Sequence, residues 1–385
     1  MAAVSGYRRA DGRVGLRNHV LVLGINGLAV RAAERIARLV PGAVCVAGLH
    51  GRGQIEPDLG TWLGQLVGLA RNPNVGAVLV VGVDERTTSL VADAVAAGGG
   101  PVAAVSFAEE GEDMLAVVDR GGRRLARLAR EASRARRGEV RLADLVVAVE
   151  CGHSDATSGI AGNPVLGATV DRLVDLGATV LVGETVEWLG AEHLLAHRAA
   201  HPAVAAAIIA AVAYRERMVA ESGASLTGNN PGEENIRGGL STIEEKSLGA
   251  IAKAGSRPIR ALIGLGEAPT GPGLWLMDGP AFSPESMTGF AAAGAQLMLF
   301  STGPGNSFAS AIAPTIKLSA RADTVRRLPE QIDFDASPVF AGDESVEAAA
   351  DRMLGLIAEV ANGTLTWGEI LGEGLEVPTR LRGSL

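Results

Sequence analysis

Residues 145–183 read LVVAVECGHSDATSGIAGNPVLGATVDRLVDLGATVLVG and predict the fold more directly than any other stretch of the chain. An apolar run at 145–150 leads into a glycine-rich loop, a helical pattern at 165–176 and a second apolar run at 179–183. Near-continuous apolar runs of this length are typical of parallel strands that are covered on both faces. The stretch therefore predicts a strand–helix–strand unit within a parallel sheet.

The same alternation continues on both sides of this stretch. Further strands are predicted at residues 19–25, 43–49, 77–83, 102–107, 260–265 and 296–300, and further helices at 28–40, 59–71 and 89–97. Strands that alternate with amphipathic helices build α/β domains with mostly parallel sheets. We therefore expect an α/β fold.

Length and composition set the number of domains. The chain has 385 residues, and roughly 150 residues per domain predicts two or three domains. Residues 121–138, GGRRLARLAREASRARRG, interrupt the alternation. We interpret them as a solvated helix that links two domains, with Leu125, Leu128 and Ala132 as a packing stripe, and keep a nucleic-acid-binding arm as the alternative. The predicted domains are residues 1–138 and 139–385.

Charge and cysteine content exclude several classes of protein. The formal net charge is −8, which disfavours nucleic-acid binding because no broad basic surface is available to hold phosphates. The longest apolar runs are interrupted by glycine or charge, so we expect no membrane span. Two cysteines, Cys45 and Cys151, cannot form a disulfide framework, and this favours the cytoplasm.

Polar residues follow several predicted strands. His50 and Arg52 lie in LHGRGQ, Asp84 lies in GVDER, and ECGHSD holds Glu150, Cys151, Ser154 and Asp155. Open parallel sheets bind ligands at the carboxyl ends of their strands. ECGHSD can supply metal ligands or a general base. The alternative is a capped turn in which Asp155 or Ser158 begins the next helix.

Other loops suit a hydroxylated anion better than a nucleotide. The turn GINGLAV contains Asn26 but lacks the third glycine of a dinucleotide fingerprint, although its helix N-terminus can bind an anion. Glu184 follows a strand and is a candidate catalytic carboxylate. An acid–base alternative is the pair Glu245 and Lys246. Hydroxyl and amide groups for substrate binding are predicted in the TGPG and STGPGNS loops, at Thr270, Ser301, Thr302 and Asn306.

The order of these segments resembles the altronate/galactarate dehydratase family, which also includes the large subunit of sulfolactate sulfo-lyase. The matching strings cover most of the chain from residue 6 to about residue 317. They are GYRRADGRVGLRNHVLVL, ARNPNVGAVLVVG, ECGHSDATSGIAGNPVLG, GGLSTIEEKSLGAIAKAGSRPI, PTGPGLWLMDGPA, GAQLMLFSTGPGNS and IAPTIK. Strings of this length are far more specific than any single short motif.

The resemblance implies a metal-dependent lyase that removes water from a sugar acid and yields a 2-keto-3-deoxy acid. It implies a smaller, dimer-forming α/β domain followed by a larger Rossmann-like domain that holds the metal and the catalytic groups. The expected partners are a small anionic hydroxy acid, a second copy of the chain and a separate small β-clip subunit. The alternatives are a sulfo-lyase large subunit that releases sulfite from sulfolactate, and a homologue that binds a sugar acid without turning it over.

The sequence departs from the family where relatives carry cysteines in their first three strand-end loops. Here Gly27 or nearby apolar residues, Arg52 and Asp84 occupy those places, and Cys151 remains. The resemblance implies Fe²⁺, whereas Asp84 as a hard ligand favours Mn²⁺ or Mg²⁺. We expect the metal ligands to be His50, Asp84 and Cys151, and Arg52 to bind a substrate carboxylate with Asn26 and Ser154 nearby.

The expected reaction begins with removal of the proton α to the substrate carboxylate. The resulting dianion needs a cation to carry its charge, and an acid then protonates the departing β-hydroxyl. The catalytic candidates are Glu150, Asp155, Glu184, Glu245 and Lys246.

Overall fold

The apolar runs of the sequence form parallel strands in the structure, a computed structural model that describes residues 4–51, 53–223 and 230–380. The strands in chain order are β1 (Val4–Arg8), β2 (Val14–Gly15), β3 (His19–Gly24), β4 (Val44–Ala47), β5 (Val75–Gly82), β6 (Val102–Ser106), β7 (Gly138–Val140), β8 (Val146–Cys151), β9 (Thr179–Val182), β10 (Ile259–Ile263), β11 (Gly273–Met277), β12 (Leu297–Ser301), β13 (Thr315–Ser319) and β14 (Phe334–Asp335).

The helices cover the faces of the sheets. In chain order they are α1 (Val30–Arg38), α2 (Asp58–Ala70), α3 (Glu85–Ala96), α4 (Met114–Ala132), α5 (Asn163–Asp175), α6 (Glu192–His197), α7 (Pro202–Ser222), α8 (Glu233–Arg237), α9 (Ile243–Ile251), α10 (Ser283–Ala292), α11 (Ala322–Arg327), α12 (Ser337–Ala341), α13 (Val346–Ala361) and α14 (Trp367–Leu371). No helix within the described ranges is long and apolar enough to cross a membrane.

The amino-terminal sheet has four parallel strands in the order β4-β3-β5-β6. Helix α4, which includes most of the arginine-rich segment, packs on this sheet together with α1. Ile36 of α1 and Leu125 of α4 are fully buried in the same apolar cluster, and Leu128 is nearly so. The predicted packing stripe of Leu125, Leu128 and Ala132 is therefore confirmed, but it lies in the core of this unit, so the helix is not a solvated linker.

The carboxyl-terminal sheet has seven parallel strands in the order β10-β11-β9-β8-β12-β13-β14. Strands β8 to β11 lie to one side, and the chain then returns past β8 to add β12, β13 and β14 on the other side. The topological switch point therefore lies between β8 and β12, where open α/β sheets bind ligands. Sequence analysis missed β11, β13 and β14 as strands.

A small antiparallel sheet and a shared core join the two α/β units. Strand β1 pairs with β2 and with β7, so the amino-terminal strand meets the segment that leads into the second sheet. Helices α2 and α10 contact each other so closely that a Cβ at Gly68 would lie 2.3 Å from the carbonyl oxygen of Ala292. The predicted fold class, α/β with two mostly parallel sheets, is confirmed, while the boundary at residue 138 stays a prediction.

Candidate functional site

Cys151 lies at the centre of the larger sheet, as the last residue of β8. Strand β8 is flanked by β9 and β12, and all three strands end at the same edge because they are parallel. The side chain of Cys151 is 1% exposed. The residues that directly follow β9 therefore lie next to the Cys151 thiol.

Two glutamates that follow β9 surround this thiol. Glu184 has a left-handed backbone, with φ of 70°, and it begins a short 3₁₀ turn at Thr185–Trp188 that contains Glu187. The backbone N–H of Cys151 donates to Glu184 Oε2 at 3.1 Å. The Cys151 Sγ lies 3.6 Å from Glu184 Oε2 and 3.4 Å from Glu187 Oε2. The turn thus aims both carboxylates back at one sulfur atom.

Two lysines from a separate segment complete the cluster. Lys246 lies in α9 and Lys253 in the 3₁₀ turn Ala252–Ala254 that follows it. Lys246 Nζ lies 2.8 Å from Glu187 Oε1. Lys253 Nζ lies 2.5 Å from Glu184 Oε2 and 3.1 Å from Cys151 Sγ. We call Cys151, Glu184, Glu187, Lys246 and Lys253 the charged cluster.

Burial and mutual attraction set the protonation of the charged cluster. Burial, together with repulsion from Glu187, raises the pKa of Glu184 to about 7. Burial also acts to raise the pKa of Glu187, but Lys246 and Lys253 outweigh it, so that this pKa is lowered. Burial and Glu184 raise the pKa of the Cys151 thiol well above its usual range. At neutral pH Glu187 is therefore a carboxylate, while Cys151 holds its proton.

The charged cluster opens into a polar cavity of about 820 Å³. Cys151, Glu187 and Lys246 reach its wall, and the other polar lining groups include His153, Asn230, Glu234, Asn235, Ser283, Asn306, Ser307 and Glu373. Lys246 Nζ also donates to Asn230 Oδ1 at 2.5 Å. An acid, a base and a cation thus face one polar space that can accommodate a small hydroxylated acid.

Several predicted site residues meet here. Cys151, Glu184 and Lys246 belong to the charged cluster, and Asn306 lines the cavity. Glu150 directly precedes Cys151 and is buried. Its Oε2 accepts from the hydroxyl of Ser286 at 2.9 Å, and its Oε1 has no partner among the described residues. Burial and Glu184 raise the pKa of this carboxyl group.

Other predicted residues stabilise the loops around the cavity. Asp155 accepts from the N–H of Ser158 at 3.1 Å, as expected from the alternative of a capped turn. The carbonyl oxygen of Ser154 accepts from Asn235, and Thr302 Oγ accepts from the N–H of Gly305. Ser301 is buried, and its hydroxyl has no hydrogen-bond partner among the described residues.

The structure separates Glu245 and Thr270 from the charged cluster. Glu245 neighbours Lys246, but its exposed carboxylate accepts from the N–H of Ser241 at 2.8 Å and, among the described residues, makes no contact with the charged cluster. Thr270 is exposed and precedes β11, so it lies at the amino edge of the sheet, opposite the cavity. Adjacent helix positions face different directions, and the two ends of a parallel sheet are far apart. The structure therefore does not bring Glu245 or Thr270 into the charged cluster.

The predicted metal ligands are also separated, because they follow strands of different sheets. Asn26, His50 and Asp84 lie at the carboxyl edge of the four-stranded sheet, and Asp84 caps α3 by accepting from the N–H of Thr87 at 2.7 Å. Within the described ranges, the group that can hold a metal ion is Cys151, Glu184 and Glu187, whose ligand atoms lie within 4.8 Å of one another. Cys151 is thus the one predicted ligand in this group. Arg52 lies outside the described residues.

Sequence analysis missed Glu187 and Lys253. One available signal was the seven-residue spacing of Lys246 and Lys253, two helical turns apart, which places both lysines on one face. Another was the three-residue spacing of Glu184 and Glu187 after a predicted strand end. Opposite charges at these two places in the chain are consistent with a buried pair.

Comparison with known proteins identifies the family of the chain. Residues 6–133 match the family described as D-galactarate dehydratase/Altronate hydrolase, second domain, and residues 142–382 match D-galactarate/Altronate dehydratase, C-terminal. The chain is 38% identical to a (2R)-sulfolactate sulfo-lyase subunit beta of Chromohalobacter salexigens, over 98% of this chain and 97% of the relative.

Two dehydratases are more distant relatives. The altronate dehydratase of Escherichia coli is 30% identical, over 94% of this chain and 74% of the relative. The galactarate dehydratase (L-threo-forming) of the same organism is 30% identical, over 93% and 72%. These matches span both α/β units and include the segments that build the charged cluster. The chain therefore belongs to the galactarate/altronate dehydratase family of lyases.

Proposed function

We propose that the chain catalyses a β-elimination on a small hydroxylated carboxylate, with water as the leaving group and a sugar acid such as altronate or galactarate as the substrate. The observation that carries the proposal is the charged cluster at the wall of the polar cavity. Elimination needs a base, an acid and a cation within reach of one substrate. Glu187, Cys151 and Lys246 supply these three groups.

Glu187 is the proposed base. Lys246 holds its carboxylate at 2.8 Å and lowers its pKa, so the group is ionised and ready to accept the proton α to the substrate carboxylate. Lys246 is 9% exposed and faces the same cavity. Its ammonium group would stabilise the charge that develops on the substrate carboxylate as the proton leaves.

Cys151 is the proposed acid. Its thiol reaches the cavity wall and holds its proton at neutral pH because burial raises its pKa. Transfer of that proton to the departing β-hydroxyl releases water and leaves an enol, which rearranges to the 2-keto-3-deoxy acid. Glu184, with a pKa of about 7, lies 3.6 Å from the sulfur and can return the proton.

The family resemblance implies a divalent metal, and within the described ranges its candidate donors are Cys151, Glu184 and Glu187. Two of these donors already contact the Lys253 ammonium, at 2.5 Å from Glu184 Oε2 and 3.1 Å from Cys151 Sγ. The donor set therefore does not fit an ion while that ammonium is in place, and no step of the proposed reaction is assigned to a metal. The acid and base roles above belong to the side chains themselves.

Incubation of the purified full chain with a panel of aldonates and aldarates tests the proposed function. We expect 2-keto-3-deoxy acid to form from at least one member, with and without added Fe²⁺ or Mn²⁺ as parallel arms. If no member yields keto acid in either arm, then the dehydratase proposal is wrong.

Sulfite elimination from sulfolactate is the second candidate, favoured by the 38% identity to a sulfo-lyase subunit over nearly the full length of both chains. The same base and cation would act, with sulfite as the leaving group and pyruvate as the product. We expect this reaction to need a separate small subunit. Release of sulfite, with no keto acid formed from the sugar acids, would assign the chain to this reaction instead.

A further inference from the structure

Lys253 occupies the centre of the group that can hold a metal. Its side chain is 1% exposed, and its Nζ lies 2.5 Å from Glu184 Oε2, 3.1 Å from Cys151 Sγ and 4.0 Å from Glu187 Oε2. The ammonium group thus contacts Glu184 and Cys151 directly and lies at the 4.0 Å limit of an ion pair with Glu187.

The backbone of Lys253 is held firmly in this position. Helix α5 packs against its turn so closely that a Cβ at Gly167 would lie 2.1 Å from the carbonyl oxygen of Ala252. On the other side, α9 anchors the turn through Lys246, which is paired with Glu187. Withdrawal of the ammonium from the donors would leave a charge in an apolar interior, which is costly.

The charges of the cluster balance without an added ion. Lys246 and Lys253 carry two positive charges, and Glu184 and Glu187 carry two negative charges when both are ionised. A divalent metal would have to bind the same oxygen and sulfur atoms, at distances of about 2.0–2.3 Å. An ammonium group that contacts Glu184 and Cys151 and lies 4.0 Å from Glu187 competes with the ion for these donors, and its positive charge repels the ion.

We propose that Lys253 is the resident cation of the charged cluster, and that a divalent metal binds Cys151, Glu184 and Glu187 only when the Lys253 ammonium is removed. The lysine thereby supplies the fixed positive charge that a metal would otherwise supply to these donors. The inference concerns metal affinity and does not depend on which leaving group the enzyme expels.

Titration with Co²⁺ tests the inference, because a cobalt–thiolate bond gives a charge-transfer band in the near ultraviolet. We expect the wild-type chain to show no such band with Co²⁺ alone. Lys253→Met keeps the length of the side chain and removes the charge. We expect it to gain the band and to bind Co²⁺ at least tenfold more tightly, in line with the roughly 10–100-fold effects of groups next to a metal site.

Two further variants assign the signal. Lys253→Met combined with Cys151→Ser should lose the band, because the sulfur ligand is gone. Lys253→Arg keeps a cation and should behave like the wild type. A thiolate–cobalt band in the wild-type chain that Cys151→Ser abolishes would overturn the inference, and this result does not require any Lys253 variant to fold. A folded Lys253→Met chain with unchanged Co²⁺ affinity would overturn it as well.

Discussion

The carboxyl edges of the two parallel sheets carry similar polar loops but place them in different surroundings. At the four-stranded sheet, Asn26 accepts from the N–H groups of Leu28 and Ala29, and Asp84 caps α3. At the seven-stranded sheet, Cys151 meets two glutamates and two lysines that come from separate segments. Polar residues at a strand end are common to both sheets. Opposite charges buried together are the feature that distinguishes the second.

A large loss of activity is expected at one of two neighbouring residues, Lys246 and Glu245, that sequence analysis proposed as a pair. Lys246→Met removes the ammonium group that faces the cavity and should lower kcat/KM by about 10²–10³-fold, the range for loss of one charge-stabilising group. Glu245→Gln changes an exposed carboxylate that bonds Ser241 outside the charged cluster, and kcat/KM should stay within about twofold of the wild type. Steady-state rates of keto acid formation measure both. If both variants lose kcat/KM to the same extent, then the charged cluster is no more important for activity than the exposed carboxylate next to it.

Substitutions at the carboxyl edge of the seven-stranded sheet should also cost more free energy of unfolding than substitutions at the four-stranded sheet. Glu184→Ala leaves the buried ammonium of Lys253 without the carboxylate at 2.5 Å, and loss of one partner of a buried pair costs about 3–5 kcal/mol of the free energy of unfolding. The double variant Glu184→Ala with Lys253→Met should recover part of this loss, because no charge is then left unpaired. Urea unfolding measures the free energies. A double variant less stable than the single one would contradict the account.

The carboxyl-terminal tail contacts both α/β units, since the N–H of Thr379 donates to Gln65 and Glu376 accepts from the N–H of Ala311. Its contribution to the free energy of unfolding should depend on pH. Glu376 is buried where its Oε1 accepts from the N–H of Ala311 at 3.0 Å, and burial raises its pKa from 4.5 to about 7. The folded state therefore favours the protonated acid. This contribution to stability is fully present below pH 4.5 and is lost as the pH rises through about 7.

Comparison of the wild type with Glu376→Gln isolates this contribution. Between pH 5 and pH 8 the wild type should lose about 2.5 kcal/mol more of its free energy of unfolding than the variant does. The amide keeps an acceptor for the N–H of Ala311, so that the fold is preserved. Parallel pH profiles for the two proteins would mean that Glu376 titrates normally.

The smallest effect belongs to the four-stranded sheet. Asp84→Ala removes the N-cap of α3 and should cost about 1 kcal/mol, with kcat/KM within twofold of the wild type. Thermal unfolding and the keto acid assay measure the two quantities. A large loss of activity from this substitution would mean that the active site lies at the carboxyl edge of the four-stranded sheet, where sequence analysis predicted two of the metal ligands.

The comparison also explains what the sequence can and cannot reveal. Apolar runs predicted β3, β5, β8 and β9 to within one or two residues because a buried parallel strand needs a continuous apolar segment. Strand β11 was missed because its run, GLWLM, follows directly on a Gly-Pro-rich turn and reads as part of a loop. Cys151 and Glu184 were proposed as site residues because they follow such segments, and Lys246 because it forms an acid–base pair with Glu245 in the sequence.

The rest of the site depends on contacts that one sequence does not specify. Lys253 and Glu187 come together only because α9 and the turn after β9 pack on the same edge of the sheet. The loops with His50 and Cys151 appear equivalent in sequence, yet they belong to different sheets. Strand order, which decides which loops are neighbours, is set by the whole fold and not by any local pattern.

The most direct test of the central claim is a side-by-side measurement of product formation by Glu187→Gln and His50→Ala. These substitutions remove the proposed base at the seven-stranded sheet and the predicted ligand at the four-stranded sheet. The account predicts that Glu187→Gln lowers kcat by about 10²–10⁴-fold, as expected for loss of a general base, while His50→Ala stays within about twofold. Full activity of Glu187→Gln together with an inactive His50→Ala would contradict it.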